Sequence, residues 1–224
     1  VAQTPFWTAE ADQANAHMGV SVSSAGDING DGYGDMIVGA YSYSNGQNDG
    51  GGAFIYLGSA IGPASAADWV VESDQNSAGL GMFVASGGDV NGDGYGDVLV
   101  GAPYYDDGQT DEGRTYLYLG SSTGVSSGWI TESNQSSAYF GRSVSGAGDI
   151  NGDGYGDVLV GAPFYDNGQT NEGRVFLYLG NGADNTGLGL SHPVQTRQPG
   201  SSTPIVPGLT SHNPASFDVA MNTA

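Results

Sequence analysis

Nine residues, written three times, carry the groups in this chain best suited to hold a metal ion. The first copy is Asp27-Ile28-Asn29-Gly30-Asp31-Gly32-Tyr33-Gly34-Asp35. The second runs from Asp89 to Asp97, with Val90 in place of the isoleucine, and the third from Asp149 to Asp157. Each copy sets an acid, an amide, an acid and a last acid at positions 1, 3, 5 and 9. Calcium takes about six to eight oxygen ligands and tolerates flexible loops. Alternate residues of a tight loop point inward, so Asp27, Asn29 and Asp31 can converge. Position 7 offers a backbone carbonyl, from Tyr33, and Asp35 closes the set at position 9. The glycines between them, Gly30, Gly32 and Gly34, are expected to supply positive-φ turns. The same ligand set is expected from Asp89, Asn91, Asp93, Tyr95 and Asp97, and from Asp149, Asn151, Asp153, Tyr155 and Asp157.

Helical calcium loops of the EF-hand and dockerin kind place an acid at position 12 and run on into a helix. Position 12 here is Val38, Val100 or Val160, and an apolar run comes next. The loops are therefore expected to lead into strands. A turn rich in Gly, Asn and Asp without metal is the plainer reading of one copy. Three copies, each gathering three carboxylates that would repel one another, favour three Ca²⁺ sites. Magnesium suits them less, because it demands a rigid octahedron and keeps several waters.

Charge points the same way. Twenty-four acids face four arginines and no lysine, for a formal charge of −20 over 224 residues. Nine of those acids sit in the three loops, and three calcium ions would add six positive charges. Such a surface repels nucleic acid and anionic membranes, so neither is an expected partner. There is no cysteine, and no apolar run approaches the ~18 residues needed to span a bilayer. Val1 follows a processed leader or marks a sequence boundary, and both readings stand.

The frame around the loops repeats as well. Trp7, Trp69 and Trp129 recur at 62 and then 60 residues. Each is followed by a Glu (Glu10, Glu72, Glu132), a Gln (Gln13, Gln75, Gln135) and an apolar-Gly pair (Met18-Gly19, Leu80-Gly81, Phe140-Gly141). After the acid loop come Met36 to Ala40, Val98 to Pro103 and Val158 to Pro163. The units close on Phe54 to Leu57, Thr115 to Leu119 and Val175 to Leu179. Short β-branched and aromatic runs bounded by turn residues predict an all-β chain with about four strands per unit, the count of a propeller blade. The expected units are residues 1–62, 63–122 and 123–180, with a Pro/Ser/Thr-rich extended tail over 181–224. Ser216 to Met221 reads as one further strand, able to dock on a neighbouring subunit, or as part of a linker.

Phe140-Gly141 and Gly161-Ala162-Pro163, flanking Asp149 to Asp157, resemble the FG-GAP repeat of integrin alpha-chain β-propellers and their bacterial relatives. The resemblance covers about residues 7 to 180 and is fullest in the third copy. It implies four-stranded blades with calcium held in a hairpin loop on one rim, by the five positions named above in each copy. Integrin propellers have seven blades and this chain shows three, so a partial or open propeller is expected, with two edges to be covered.

The remaining candidates read as structural. Glu112 with Arg114, and Glu172 with Arg174, suggest same-face salt bridges. The tryptophans suggest packing between blades rather than sugar stacking. Tyr104, Tyr105, Phe164 and Tyr165, beside Asp106, Asp107 and Asp166, form either a ligand surface or rim packing. His17, His192 and His212 share no ligand spacing. Asn134-Gln135-Ser136 is a sequon, which makes a glycan a candidate partner. No residue set pairs a nucleophile with a base, so no enzyme activity is expected. The sequence thus predicts a calcium-stabilised extracellular module, secreted or at the cell surface. It would self-assemble or complete a larger propeller or filament, through protein contacts that include the tail. The alternative is an accessory propeller of a larger secreted enzyme.

Overall fold

The computed structural model describes residues 4–182, which form eleven antiparallel strands in three sheets and no helix. The first sheet orders β1 (Ser21–Gly26), β2 (Asp35–Ala40), β3 (Gly52–Tyr56) and β4 (Trp69–Glu72) side by side. The second orders β5 (Phe83–Gly88), β6 (Asp97–Ala102), β7 (Arg114–Leu119) and β8 (Ser126–Glu132) in the same way. The third holds β9 (Ser143–Gly148), β10 (Asp157–Ala162) and β11 (Arg174–Tyr178). It therefore has three strands among the described residues, where the repeat predicts four. The expected terminal strand, Ser216 to Met221, lies outside the described residues, as do His192 and His212.

Each tryptophan-led strand closes the sheet that precedes it in sequence. Trp69 of β4 stands opposite Ile55, and Trp129 of β8 stands opposite Leu117. Counting from tryptophan to tryptophan thus cuts the first two sheets one strand early. The first strands β1, β5 and β9 lie side by side, so the sheets stack face against face.

Burial reflects that stacking. β6 and β10 share the sequence Asp-Val-Leu-Val-Gly-Ala. In the middle sheet all six residues are buried, because both faces are covered; in the third, Leu159 and Gly161 are only half-buried. A strand covered on both faces reads as a continuous apolar run rather than an alternating one. Close approach between sheets is permitted by glycine. A Cβ on Gly101 would overlap the carbonyl oxygen of Gly141, at the start of the next sheet. One core joins the first two sheets through Ile37, Ile55, Leu80, Val98 and Val100. A second joins the last two through Leu99, Leu117, Phe140, Val158 and Val160.

Two of the tryptophans pack edge-on against a sheet tyrosine, in keeping with their expected packing role. Trp129 belongs to the second sheet by pairing, yet meets Tyr178 of the third edge-on at 4.6 Å. Trp7 meets Tyr56 of the first sheet in the same way at 4.8 Å. Edge-to-face aromatic pairs contribute about 0.5–1.5 kcal/mol beyond the area they bury.

Candidate metal centres

Each acid loop connects the first two strands of its sheet, and all three lie on one rim. A bulge precedes the loop where the register shifts, between Ser24 and Gly26 in the first sheet and between Ser86 and Gly88 in the second. Bulges bend a strand and re-aim the residues beyond them. Here they turn Asp27 and Asp89 into the loop.

The first loop is knit by its own side chains. Asp27 Oδ1 accepts the N–H groups of Gly30 at 2.7 Å and Asp31 at 3.1 Å, and its Oδ2 accepts that of Gly32 at 2.9 Å. Asn29 Oδ1 accepts the same Asp31 N–H at 3.1 Å, and the Asn29 amide donates to Asp31 Oδ2 at 3.0 Å. Asp31 Oδ1 accepts the Tyr33 N–H. The side-chain oxygens of positions 1, 3 and 5 therefore converge on one short stretch of chain. The second and third loops repeat every one of these bonds.

Position 9 behaves differently. Asp35 is buried and accepts the N–H of Ile28 and of Gly58, both at 2.7 Å. Asp97 accepts those of Val90 and Gly120, and Asp157 those of Ile150 and Gly180. Each of these aspartates clips the loop to the chain leaving the third strand. The second partner lies 23 residues away, so the local motif displays the position-9 oxygens as ligands and carries no sign of the clip.

The glycines divide into two kinds. Gly30 and Gly32 have φ of +75° and +88°, as expected, but Gly34, Gly96 and Gly156 do not take positive φ. Space explains the last two. A Cβ on Gly96 would lie 2.7 Å from the Ala25 carbonyl, and one on Gly156 would lie 3.0 Å from that of Gly87. Gly96 also donates its N–H to the Asp27 carbonyl at 2.8 Å, and Gly156 to the Asp89 carbonyl at 2.7 Å. The Tyr95 ring lies against Gly30, and the Tyr155 ring against Gly92. Adjacent loops are thus joined along the rim, each leaning on the one before.

The electrostatics suit a cation. Burial, and after it the negative charges of Asp93 and Asp89, pushes the Asp97 carboxyl up to about 7. The two N–H bonds it accepts act in the other direction. Asp35 is raised for the same reasons, burial first, with Asp31 and Asp27 adding to it. Asp149, in the third loop, is lowered, chiefly by the N–H of Gly154. Among the described residues no three acidic or imidazole side chains stand close enough to hold an ion as they are arranged. The donor set still fits a hard cation: it is all oxygen, and each carboxylate oxygen that takes one N–H keeps a further lone pair.

Other predicted contacts are redrawn. Arg114 does not pair with Glu112; it meets Glu132 at 2.7 Å and also Asp107. The strand register dictates this, since β8 places Glu132 directly opposite Arg114. Glu112 is buried, its Oε1 accepts the Asp107 N–H, and its Oε2 has no hydrogen-bond partner among the described residues. Glu172 is exposed and forms no ion pair with Arg174, whose guanidinium lies over the Tyr165 ring at 4.2 Å. Tyr104, Tyr139 and Phe164 form an edge-on ladder across the last two sheets, which is rim packing. His17 stacks on Tyr41. The Gln of each unit is a clamp: Gln75 holds the N–H and the carbonyl of Asp106, Gln135 those of Asp166, and Gln13 those of Ser44.

Comparison with known proteins places this arrangement. The FG-GAP repeat pattern matches residues 18–56, 80–118 and 140–178. Integrin alpha-PS2 of Drosophila melanogaster is 35% identical over 167 residues, covering 67% of this chain and 12% of that protein. Integrin alpha-5 of Xenopus laevis is 30% identical over 178 residues, 75% of this chain and 17% of its own length. Integrin alpha-6 of Homo sapiens is 33% identical over 136 residues, 61% and 12%. The chain thus spans less than a fifth of the length of these relatives.

Proposed function

The chain belongs to the FG-GAP repeat family, and from that premise we propose a calcium-stabilised, extracellular adhesion-type module whose partners are proteins. Its integrin-alpha-like propeller blades are the binding surface and the three rim loops its staples. The reading rests above all on one observation: three loops of one oxygen-only pattern, joined edge to edge between stacked sheets. Asp27, Asn29, Asp31, the Tyr33 carbonyl and Asp35 would hold one ion. Asp89, Asn91, Asp93, Tyr95 and Asp97 would hold a second, and Asp149, Asn151, Asp153, Tyr155 and Asp157 a third. A bound Ca²⁺ supplies the positive charge that these clustered carboxylates lack. The chain's own contribution is to hold each loop in place through the position-9 clip and the rim bonds. Self-assembly, or completion of a larger propeller, is the corresponding role in the whole protein.

Calcium titration tests this. An ion that binds only the folded state stabilises it by about 2.7 kcal/mol per site at a hundredfold excess over Kd. For a domain of this size that is roughly 5–10 °C per site. Melting temperature should therefore rise by at least ~10 °C in calcium over chelator, with magnesium giving less. An equal melting temperature in both would sink the calcium reading.

A further inference from the structure

The outer edge of β11 pairs with no strand among the described residues, while in the other two sheets that edge is filled by β4 and β8. Those two strands share a pattern. β8 sets Glu132 against Arg114 and Trp129 against Leu117; β4 sets Glu72 against Gly52 and Trp69 against Ile55. Residues Trp7-Thr8-Ala9-Glu10 carry the same Trp and Glu at the same spacing, and they lie in no strand. Trp7 already sits on Tyr56 as Trp129 sits on Tyr178. Among the described residues no sheet stands on the other side of this segment.

The faces at the two ends match as well. Ile28 and Val90 are 0% and 2% exposed, because the next sheet covers them, but Ile150 is 55% exposed. Val84 on β5 is 7% exposed, and its counterpart Val22 on β1 is 67% exposed. Tyr95 and Tyr155 cover Gly30 and Gly92, whereas Tyr33 is 45% exposed and Gly152 has nothing against it. Each group left open on the third sheet has its complement open on the first.

We propose that two copies of this chain pair head to tail, with Trp7–Glu10 of each adding a fourth strand to β11 of the other. The register copies that of β7 and β8: Arg174 faces Glu10, Val175 faces Ala9, Phe176 faces Thr8 and Leu177 faces Trp7. Arg174 makes no ion pair among the described residues, and Asn167 stands where Arg114 has Asp107. Glu10 supplies the missing carboxylate. Tyr33 of one copy covers Gly152 of the other, and Val22 meets the side of the third sheet that exposes Ile150. The described residues of two copies contribute six sheets, within the four to eight that close a propeller. The contact is formed twice, once at each joint. This deepens the self-assembly proposed above and rests on it, but it does not depend on calcium binding.

The test is the solution mass of the full chain by light scattering, across concentration and in calcium. A dimer of the 22.7 kDa chain is expected. Glu10→Arg or Arg174→Glu alone places like charges at both joints and should weaken the dimer by at least ~30-fold. Mixing the two variants restores opposite charge at both joints and should restore the dimer. Ile150→Arg, at an exposed position, should give a folded monomer with an unchanged circular dichroism spectrum. A wild-type chain that stays monomeric at every concentration overturns the pairing. So does a dimer indifferent to both charge reversals, or one that mixing fails to recover. A melting temperature unmoved by calcium in a protein that still dimerises refutes the calcium reading alone.

Discussion

Replacing Asp97 by alanine tests whether the position-9 carboxylate is a structural clip in its own right. Asp97 is fully buried, and its two oxygens accept the N–H of Val90 at 2.7 Å and that of Gly120 at 2.9 Å. Alanine leaves both donors in place and removes both acceptors. An unsatisfied buried donor costs about 1–3 kcal/mol, so two cost about 2–6 kcal/mol. Relief of burying a carboxylate raised to about 7 offsets part of this at neutral pH, and a net loss of about 2–4 kcal/mol is expected. The measurement is urea unfolding in excess chelator, which removes any metal contribution, read by tryptophan fluorescence. Amide exchange at Val90 and Gly120 should accelerate with it. Asp149→Ala serves as the contrast. Its N–H partners Gly152, Asp153 and Gly154 are exposed, so water takes them over and the loss is smaller. A loss below about 1 kcal/mol for Asp97→Ala, or unchanged exchange at the two amides, would refute the clip.

The redrawn contacts give two further predictions. Burial, and after it the charges of Glu132 and Asp107, holds the Glu112 carboxyl above the usual range. A raised folded-state pKa means that the stabilisation is full below the ordinary glutamate value and is lost as pH rises through the folded one. Glu112→Gln keeps the acceptor for the Asp107 N–H and ends the charging, so it should flatten this decline; melting curves from pH 4 to 9 decide, and an unaltered slope counts against it. Gln75→Ala removes both bonds to the Asp106 backbone and should cost about 1–3 kcal/mol while loosening residues 103–113; proteolysis rates of that loop report the effect, and Gln75→Glu, which keeps only the acceptor, should fall between.

The repeat, the strand runs and the loop positions were legible because they depend on local spacing. Short β-branched and aromatic runs bounded by turn residues declare strands, and an Asp-Asn-Asp series declares its oxygens. The features that escaped depend on partners far along the chain. Gln75 was visible as a repeated residue, but its partner is the backbone of Asp106, which carries no side-chain signature. Arg114 stood two residues from Glu112, and sequence proximity suggested the pair. Strand register instead brought Glu132 from 18 residues away. Gly34 looked like a turn residue, whereas its counterparts Gly96 and Gly156 serve close approach between loops. Trp69 looked like the opening of a unit because it begins the repeated phrase. Its hydrogen bonds place it at the close of the sheet before.

The rim bonds from Gly96 to Asp27 and from Gly156 to Asp89 have a bearing on how such chains grow. Every unit carries both halves of the joint: a carbonyl at its first loop position and an N–H at its eighth. A duplicated unit therefore inserts anywhere without a compensating change in its neighbours, which makes lengthening the array a single genetic event. The same locality means that no joint encodes how many units there should be. Number has to be set by the angle accumulated from sheet to sheet, and by the point at which the first and last members meet.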